Sequence, residues 1–258
     1  MLNMTLVDGN NWFRRRIETV LVGNSVKNCF YELHNKQGVV ICVWDGFNAL
    51  EKRRVLYPEY KLGRKKAGDN IYESQNLLKK LLKLSKVISL QVDGFEGDDV
   101  IAALAFKYKG KAKMYIESND LDLYQLNLPM ARDKFPEQAK WIKLMKTMVG
   151  DSSDNIPGAT GFGKTSWEKF DDHQKQILEH IIVSGYALTE DQVRNMISSF
   201  FPVRALEWFV KKDNRNTLLT FYKVVGFENV PWPLIESSMY QGLNRPDLAE
   251  PVFNQYMM

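Results

Sequence analysis

The chain has 258 residues, of which 45% are hydrophobic and 26% are charged, and its formal net charge is +4. This composition is typical of a globular protein and excludes a wholly disordered chain. The longest apolar run, Val39–Trp44, is far shorter than the roughly 20 residues of a membrane span, and no signal segment is visible. The two cysteines, Cys29 and Cys42, suit neither a disulfide framework nor a metal site. We therefore expect a soluble protein of the cytoplasm.

The first half of the chain alternates short apolar runs with helical patterns. Tyr72–Lys86 and Asp98–Tyr108 have the amphipathic spacing of helices. Four runs have the length and the side chains of strands: Met4–Val7, Val39–Trp44, Ile88–Val92 and Met114–Glu117. Strands separated by helices predict an α/β fold with a mainly parallel central sheet flanked by helices.

The second half of the chain is predicted to be mostly helical. The expected helices cover Trp141–Val149, Lys164–Phe170, Gln174–Ser184, Thr189–Phe200, Ala205–Lys211 and Thr217–Val225. The tail after Pro231 contains several prolines and glycines and is expected to be coil. The sequence thus predicts an α/β core over residues 1–145 and a helical region over residues 146–258.

Acidic residues stand at or just after the end of each predicted strand and again where the helical half begins. They are Asp8, Asp45, Glu96, Asp98, Asp99, Asp120, Asp122, Asp151 and Asp154. Each alone has an ordinary explanation as a turn residue or a helix cap. Together at one edge of a parallel sheet, these acids would repel one another without a counter-charge. An all-oxygen site favours Mg²⁺ or Mn²⁺, and two such ions suit phosphodiester hydrolysis.

Three motifs that contain these acids resemble signatures of the 5′-nuclease superfamily. Gly94–Ala102 reads Gly-Phe-Glu-Gly-Asp-Asp-Val-Ile-Ala and resembles the family's Gly-x-Glu-Ala-Asp-Asp-x-Ile. Ser118–Leu126 is similar to Ser-Gly-Asp-x-Asp-Leu-x-Gln-Leu, and Gly150–Gly158 is similar to Gly-Asp-x-x-Asp-Asn-Ile-x-Gly. This superfamily includes flap endonucleases, the 5′-nuclease domains of bacterial DNA polymerase I and phage 5′-exonucleases. The resemblance covers roughly residues 4–170.

The resemblance implies a PIN-like nuclease fold with a helical arch at about residues 46–72 and a helical, duplex-binding C-terminal part. It also implies that all nine acids form the site of two Mg²⁺ ions, with Mn²⁺ as a substitute. Glu96, Asp98 and Asp99 would lie nearest one ion, and the acids from Asp120 onward would hold the other, directly or through water. The chain departs from the pattern at Gly97, where alanine is commoner, and in having only 28 residues between Asp122 and Asp151.

A basic stretch lies between Glu51 and Lys66. Its cations are Lys52, Arg53, Arg54, Lys61, Arg64, Lys65 and Lys66. A solvated helix face is the ordinary interpretation. The segment from Tyr57 to Arg64 resembles the family's Tyr-Lys-x-x-Arg segment, which implies that Lys61 and Arg64 are catalytic cations at the scissile phosphate. The other cations would line a path for a single strand, and Tyr57 and Tyr60 would either stack on a base or pack within the arch.

A glycine-rich loop, Gly158–Thr165, formally matches a phosphate-binding P-loop. A P-loop NTPase using Lys164 and Thr165 is therefore one alternative, although no apolar strand precedes the loop, and a plain glycine turn is another. The family resemblance implies instead a helix–turn–helix-like element that grips duplex DNA through Gly161, Gly163, Lys164 and Thr165. In the family such loops often bind K⁺.

We therefore expect a Mg²⁺-dependent 5′-nuclease that acts on DNA at a 5′ end, a 5′ flap or a junction between single strand and duplex. A non-catalytic junction-binding protein is the second alternative. The choice between exonuclease and flap endonuclease, and between DNA and RNA in the cleaved strand, stays open. The resemblance and the compact length predict a stand-alone monomer, encoded by a phage and found in the host cytoplasm, or otherwise in a bacterial cell.

Overall fold

The computed structural model describes residues 1–18, 26–65, 68–131, 139–184 and 187–256. The predicted DNA contact Lys66 lies outside these residues. The chain forms two compact units. The core unit comprises Met1–Ala49, Lys65–Phe135 and Glu228–Met258, and the helical unit comprises Leu50–Arg64 and Pro136–Phe227. The tail, expected in the second part of the chain, thus belongs to the core unit.

The core unit is built on a five-stranded sheet with the order β4-β1-β2-β3-β5. The strands are Leu2–Asp8 (β1), Val39–Asp45 (β2), Ile88–Val92 (β3), Ala112–Glu117 (β4) and Met239–Gln241 (β5). The first four strands pair in parallel, whereas β5 runs antiparallel to β3. The mainly parallel α/β fold is therefore confirmed, and each of the four predicted strands is present. The expectation of a coiled tail is wrong, because β5, two α-helices and a 3-10 helix lie within its described residues.

Helices make up most of the remaining structure. They are Gly9–Glu18 (α1), Val26–Asn35 (α2), Glu51–Leu56 (α3), Asp69–Leu82 (α4), Gly97–Tyr108 (α5), Ile142–Val149 (α6), Lys164–Trp167 (α7), Asp172–Ser184 (α8), Glu190–Ile197 (α9), Val203–Phe209 (α10), Lys212–Val225 (α11), Trp232–Ser238 (α12) and Glu250–Tyr256 (α13). Short 3-10 helices cover Leu121–Leu126, Ala139–Trp141 and Pro246–Ala249. None of the helices in the described ranges is both long and apolar enough to span a membrane.

Each unit has its own apolar core. In the core unit, α1 contributes Trp12 and Phe13 and α2 contributes Phe30 and Leu33, all of them buried in one cluster with Trp44 of β2. In the helical unit, aromatic and aliphatic side chains of α6 to α11 form a second cluster. Burial of such side chains is the main driving force of folding, and it holds each unit's loops in place.

Candidate active site

The parallel register brings the carboxyl ends of four strands to one edge of the sheet. Asp8 is the last residue of β1 and pairs with Val43 of β2, and Asp45 is the last residue of β2 and pairs with Val92 of β3. The segments that carry the other acids of the core unit follow β3 and β4 at the same edge. In open α/β sheets this edge is where ligands bind. We call this group the acidic edge: Asp8, Asp45, Glu96, Asp98, Asp99, Asp120 and Asp122.

Asp8 is buried at the acidic edge, and its pKa is clearly raised. Its Oδ2 accepts a hydrogen bond from Ser118 Oγ at 2.8 Å, and its Oδ1 accepts one from the backbone N–H of Asn11 at 3.1 Å. The pKa of Asp8 is raised to about 7, mainly by burial and also by the charges of Asp45 and Asp120, although the two hydrogen bonds act to lower it. The negative charges of Asp45 and Asp120 next to Asp8 would favour the binding of a cation here.

Asp45 is exposed and is oriented by two neighbouring segments. Its Oδ1 accepts the backbone N–H of Gly97 at 2.7 Å, and its Oδ2 accepts the side-chain amide of Asn10. Asn10 is in turn held by Gln75 of α4, whose amide donates to it at 3.0 Å. A Cβ at position 97 would lie 3.3 Å from Asp45 Oδ1, which gives a packing reason for glycine where the family more often has alanine.

The turn into α5 carries three acids in different environments. Glu96 is the N-cap of α5, and it forms a capping box with Asp99, in which each side chain accepts the other residue's backbone N–H. Asp99 is completely buried, whereas Asp98 is half-buried. A similar local hydrogen bond lies in the motif Ser118–Leu126. There the side chain of Asp120, the N-cap of the 3-10 helix Leu121–Leu126, accepts the backbone N–H of Asp122 at 3.0 Å.

Among the side chains that the structure describes, no three His, Cys, Asp or Glu residues are grouped as they would be around a metal ion. The donor set at the acidic edge nevertheless fits a hard divalent cation, because it consists of carboxylate oxygens. Such oxygens are the ligands that Mg²⁺ and Mn²⁺ prefer.

The last two predicted metal ligands, Asp151 and Asp154, lie in the helical unit beside cations. Lys146 Nζ lies 2.7 Å from Asp151 Oδ2, and Ser153 donates to Asp151 Oδ1 through both its N–H and its hydroxyl group. Burial raises the pKa of Asp151, but the hydrogen bonds from Lys146 and Ser153 outweigh it and hold this pKa below its usual value. Asp151 is thus an ionised carboxylate that already has a counter-charge.

Asp154 is buried, and both predicted catalytic cations lie next to it. Lys61 Nζ lies 3.8 Å and Arg64 Nη2 lies 3.9 Å from Asp154 Oδ1. Burial raises the pKa of Asp154, and these cations only partly offset that effect. The backbone supports the arrangement, since Lys61 N donates to Asp154 O at 3.1 Å and Tyr57 OH donates to Asn155 O at 2.9 Å. The structure therefore brings the basic stretch and the third acidic motif together.

Comparison with known proteins identifies the family. The model of the 5′-3′ exonuclease N-terminal, resolvase-like domain matches residues 3–135, just over half of the chain. The chain belongs to the 5′-3′ exonuclease family. The resemblance to the 5′-nuclease superfamily is thereby confirmed.

Relatives of this family member include exonucleases, polymerases and flap endonucleases. A 5′-3′ exonuclease of Aquifex aeolicus is 37% identical in an alignment of 132 positions that covers 45% of this chain and 46% of the relative. The thermostable DNA polymerase I of Thermus thermophilus is 30% identical over 55% of this chain, but over only 19% of the polymerase. Flap endonuclease Xni of Shewanella sp. (strain MR-4) is 30% identical over 64% of this chain and 73% of the relative. The matched part thus spans about half of the first relative and a fifth of the second.

Solved structures share the fold. A 5′-exonuclease of T5 with bound divalent zinc ions superposes with a TM-score of 0.59 and 16% identity, over 95% of this chain and 96% of that protein. The flap endonuclease of bacteriophage T5, in a pseudo-enzyme–product complex with DNA and metal ions, gives a TM-score of 0.59 with 17% identity over the same shares. These likenesses show that the chain shares its fold with these proteins over nearly its whole length.

Within this member of the 5′-3′ exonuclease family, two residues predicted to contact DNA are buried. Tyr60 is part of the core of the helical unit, so that the packing interpretation is correct and stacking on a base is excluded by its burial. Arg53 is also buried, and its guanidinium donates to Val224 O at 2.9 Å and to Gly226 O at 3.0 Å. The prediction that Arg53 lines a path for DNA is therefore wrong, because its charge is used to satisfy backbone carbonyls.

The other cations of the basic stretch are more accessible. Lys52, Arg64 and Lys65 are exposed, and Lys61 is half-buried. Arg54 is half-buried and donates to Tyr60 O at 3.0 Å. The helical unit thus keeps Lys52, Arg54, Lys61 and Arg64 as accessible or partly accessible cations without Arg53.

Replacing Arg53 with methionine is expected to lower the free energy of unfolding by about 2–4 kcal/mol, because two buried carbonyls lose their donors. Replacing its exposed neighbour Lys52 with methionine removes the same charge and is expected to change stability by less than about 0.5 kcal/mol. Urea denaturation followed by far-ultraviolet circular dichroism measures both. Equal and small effects would contradict the structural role of Arg53.

The glycine loop does not have the structural context of a P-loop. Asp151 and Ile156 form an isolated bridge around a turn, and this turn leads directly into Gly158. The following helix, α7, has only four residues. A P-loop requires a buried strand before the loop and a longer helix after it, so the NTPase interpretation is wrong.

The same loop borders a cavity of about 700 Å³ in the helical unit. Its lining includes Gly161, Gly163, Thr165, Lys169 and Arg204. Lys164, which was predicted to grip DNA, is exposed and lies 3.8 Å from Glu168. The cavity combines backbone groups at glycines with two cations, a combination that suits a phosphate.

Two glycines of this loop are expected to differ strongly in their response to alanine. At Gly158, whose φ is +75°, a Cβ would lie 2.6 Å from the backbone of Val149 and Gly150. Gly158→Ala should therefore lower the free energy of unfolding by about 3 kcal/mol or more. At Gly163 a Cβ meets nothing within 4 Å, so Gly163→Ala should change stability by less than about 0.5 kcal/mol.

Denaturation curves and fluorescence anisotropy of a labelled duplex measure the two effects. Gly163→Ala is expected to weaken duplex binding several-fold, because the added methyl group would lie in the cavity. A Gly158→Ala variant as stable as the wild type would show that the loop is not packed as described.

Sequence reasoning missed several residues that shape the site. Ser118 holds Asp8 and also accepts the N–H of Asp120 at 3.0 Å, and Asn10 holds Asp45. Ser118 stands in a quoted motif, so its position was a usable signal, whereas Asn10 carries no signal except its closeness to Asp8. Lys146 stands in an amphipathic helix, where a lysine is most often a surface residue.

Proposed function

We propose that this chain is a Mg²⁺-dependent 5′-nuclease that hydrolyses phosphodiester bonds at or near the 5′ end or 5′ flap of DNA. The observation that carries the proposal is the acidic edge, where a buried Asp8 with a raised pKa stands among further carboxylates at the ends of parallel strands. Family membership and the names of the relatives, which include flap endonucleases and 5′-3′ exonucleases, support the same activity.

The carboxylates of the acidic edge would hold two Mg²⁺ ions, which Mn²⁺ could replace. When bound, the two ions supply an activated water and stabilise the leaving oxygen. Asn10, Ser118 and the N–H groups of Asn11 and Gly97 orient Asp8 and Asp45 before the ions enter. This preorganisation lowers the cost of assembling the site. The family motif extends the proposed metal set to Asp151 and Asp154.

Lys61 and Arg64 are the proposed catalytic cations. Their placement 3.8 and 3.9 Å from the buried Asp154 fixes two positive charges near the surface of the helical unit. Positive charge that is fixed in advance stabilises the negative charge that develops on phosphate oxygens in the transition state. Lys52, Arg54 and Lys65 would attract the 5′ single strand, and Tyr57, which is only half-buried, would contact it.

Duplex DNA is the proposed occupant of the cavity at the glycine loop. Gly161, Gly163 and Thr165 would offer backbone and hydroxyl donors to phosphates, and Lys164 would add charge beside them. A K⁺ ion at the loop is part of the proposal. The T5 flap endonuclease that was crystallised with DNA and metal ions supports DNA as the partner. RNA in the cleaved strand and a monomeric state are further parts of the proposal.

Cleavage of a 5′-labelled flap duplex in Mg²⁺, beside an EDTA control, tests this function. Labelled products that require Mg²⁺ are expected, and their length distinguishes flap cutting from trimming of the end. A parallel substrate with RNA in the 5′ strand tests the second substrate. Junction binding without cleavage in either Mg²⁺ or Mn²⁺ would instead establish the non-catalytic alternative.

A further inference from the structure

Asp99 differs from the other acids of the acidic edge in how its carboxylate is used. Its side chain is completely buried. Its Oδ2 accepts the backbone N–H of Glu96 at 3.2 Å, and its Oδ1 accepts the backbone N–H of Glu228 at 2.8 Å. Both oxygens of this carboxylate are therefore bound to the protein's own backbone.

The first of these bonds shapes the turn that carries the neighbouring acids. Glu96 is the N-cap of α5, and the capping box with Asp99 fixes its backbone at the start of the helix. Asp98 lies between the two capping residues, so its direction depends on the same turn. A cap of this kind stabilises a helix start and sets the entry angle of the chain.

The second bond holds a distant part of the chain. Glu228 is the first residue of the core unit after the chain leaves the helical unit. From there the tail continues through α12 to β5, which pairs with β3, the strand that leads into the turn of Glu96. Asp99 thus joins the start of the C-terminal segment to the acid-bearing turn.

We propose that Asp99 is a positioning residue that anchors Glu96 and Glu228, and not a metal ligand. The ligands on this turn would then be Glu96 and Asp98. The inference rests on the proposed function for the presence of a metal site, but the anchoring contacts are independent of that function. If the buried carboxylate of Asp99 turned toward an ion, its two hydrogen bonds from backbone N–H groups would be weakened or broken. The free energy lost with these bonds disfavours Asp99 as a metal ligand.

The substitutions Asp99→Asn and Asp98→Asn form a matched pair for the test. Asparagine at 99 keeps one acceptor, so that either the Glu96 or the Glu228 amide loses its partner. We expect hydrogen exchange of at least one of these amides to accelerate about tenfold in EDTA, and the melting temperature to fall. Asp98→Asn should leave the exchange of both amides unchanged.

Metal affinity, measured by titration with Mn²⁺ alone, is the second readout. We expect Asp98→Asn to weaken Mn²⁺ binding about tenfold or more, and Asp99→Asn to weaken it less than Asp98→Asn does. Equal or greater loss of Mn²⁺ affinity in Asp99→Asn, with unchanged exchange and melting temperature, would overturn the proposal. If Asp99→Asn does not fold, hydrogen exchange of the Glu228 amide in the wild-type protein is measured with and without Mn²⁺. Protection that is kept when Mn²⁺ is added supports the anchoring role of Asp99. Protection that is lost contradicts it.

The two proposals can fail separately. If the wild-type chain bound no Mn²⁺, the proposed function would be overturned. Faster exchange of the Glu96 or Glu228 amide in Asp99→Asn would in that case still support the anchoring role of Asp99.

Discussion

Asp8→Asn is expected to abolish Mg²⁺-dependent cleavage of a 5′-flap substrate and, at the same time, to raise the melting temperature of the metal-free protein. The activity should fall at least about 10³-fold, because a neutral amide oxygen attracts a divalent cation much more weakly than a carboxylate does. The stability should rise because the wild-type protein must keep a buried carboxylate ionised beside Asp45 and Asp120 at pH 8. Asparagine at position 8 has only one acceptor oxygen and therefore loses the hydrogen bond from either Ser118 or Asn11. We expect this loss to cost less than keeping the buried carboxylate ionised.

The effect of Asp8→Asn on the stability of the metal-free protein should depend on pH. The pKa of Asp8 is about 7 in the folded protein against 3.8 in the unfolded chain, so the folded state holds the extra proton between these values. The contribution of Asp8 to the stability of the metal-free wild type should therefore decrease as the pH rises from about 4 to about 7, and the variant should lack this decrease. Adding Mg²⁺ should restore stability to the wild type only, since a ligand of the folded state stabilises it.

Thermal unfolding in EDTA and in Mg²⁺, at several values of pH, measures these effects, and flap cleavage measures the activity. Asp69→Asn is the matched control, because Asp69 is an exposed acid of the same unit in the first turn of α4. It should change neither property. A variant Asp8→Asn that still cleaves, or that is less stable than the wild type in EDTA at pH 8, would remove Asp8 from the proposed metal site.

The elements that sequence could predict are those with local patterns. The four parallel strands are runs of apolar residues with clear ends, and helices such as α5 and α8 have an apolar face at regular spacing. In contrast, β5 has only three residues, and its conformation comes from pairing with β3 across more than a hundred residues of chain. Helix α1 was missed because the run Arg14–Arg16 obscures the short apolar pair Trp12 and Phe13, both of which are buried.

The same distinction applies to the candidate site. The order of the acids along the chain and the parallel sheet are enough to predict that Asp8 and Asp45 share an edge. The burial of Arg53 could not be predicted, because its partners are the carbonyls of Val224 and Gly226, which lie far from Arg53 along the chain. The two bonds of Asp99 were equally hidden, since one of them comes from Glu228 in the tail. A sequence motif specifies residue types, but burial and partners arise only from tertiary packing.

Lys146→Met should be among the most destabilising substitutions in the helical unit when metal is absent. Lys146 Nζ lies 2.7 Å from Asp151 Oδ2, and the two side chains are only 10% and 13% exposed. Methionine keeps much of the length of lysine but leaves Asp151 without its counter-charge. Breaking a buried ion pair by removing one partner is costly, and we expect a loss of about 2–4 kcal/mol here, since Ser153 still donates to Asp151.

The exposed pair of Lys140 and Asp172 supplies the control. Both side chains are more than half exposed, so Lys140→Met should cost less than about 1 kcal/mol. Urea denaturation in EDTA measures the two variants. Similar small losses in both would show that the Lys146 pair contributes no more than an ordinary surface pair.

Repeating the Lys146→Met measurement in Mg²⁺ then tests whether Asp151 belongs to the proposed metal set. If Asp151 binds an ion, Mg²⁺ should recover more stability in Lys146→Met than in the wild type, because the ion replaces the missing charge. Asp151→Asn added to Lys146→Met should remove that extra recovery, since the carboxylate that attracts the ion is gone. Recovery equal to that of the wild type would mean that Asp151 serves this fold as the partner of Lys146 alone. The metal site would in that case consist of the acidic edge without the third motif.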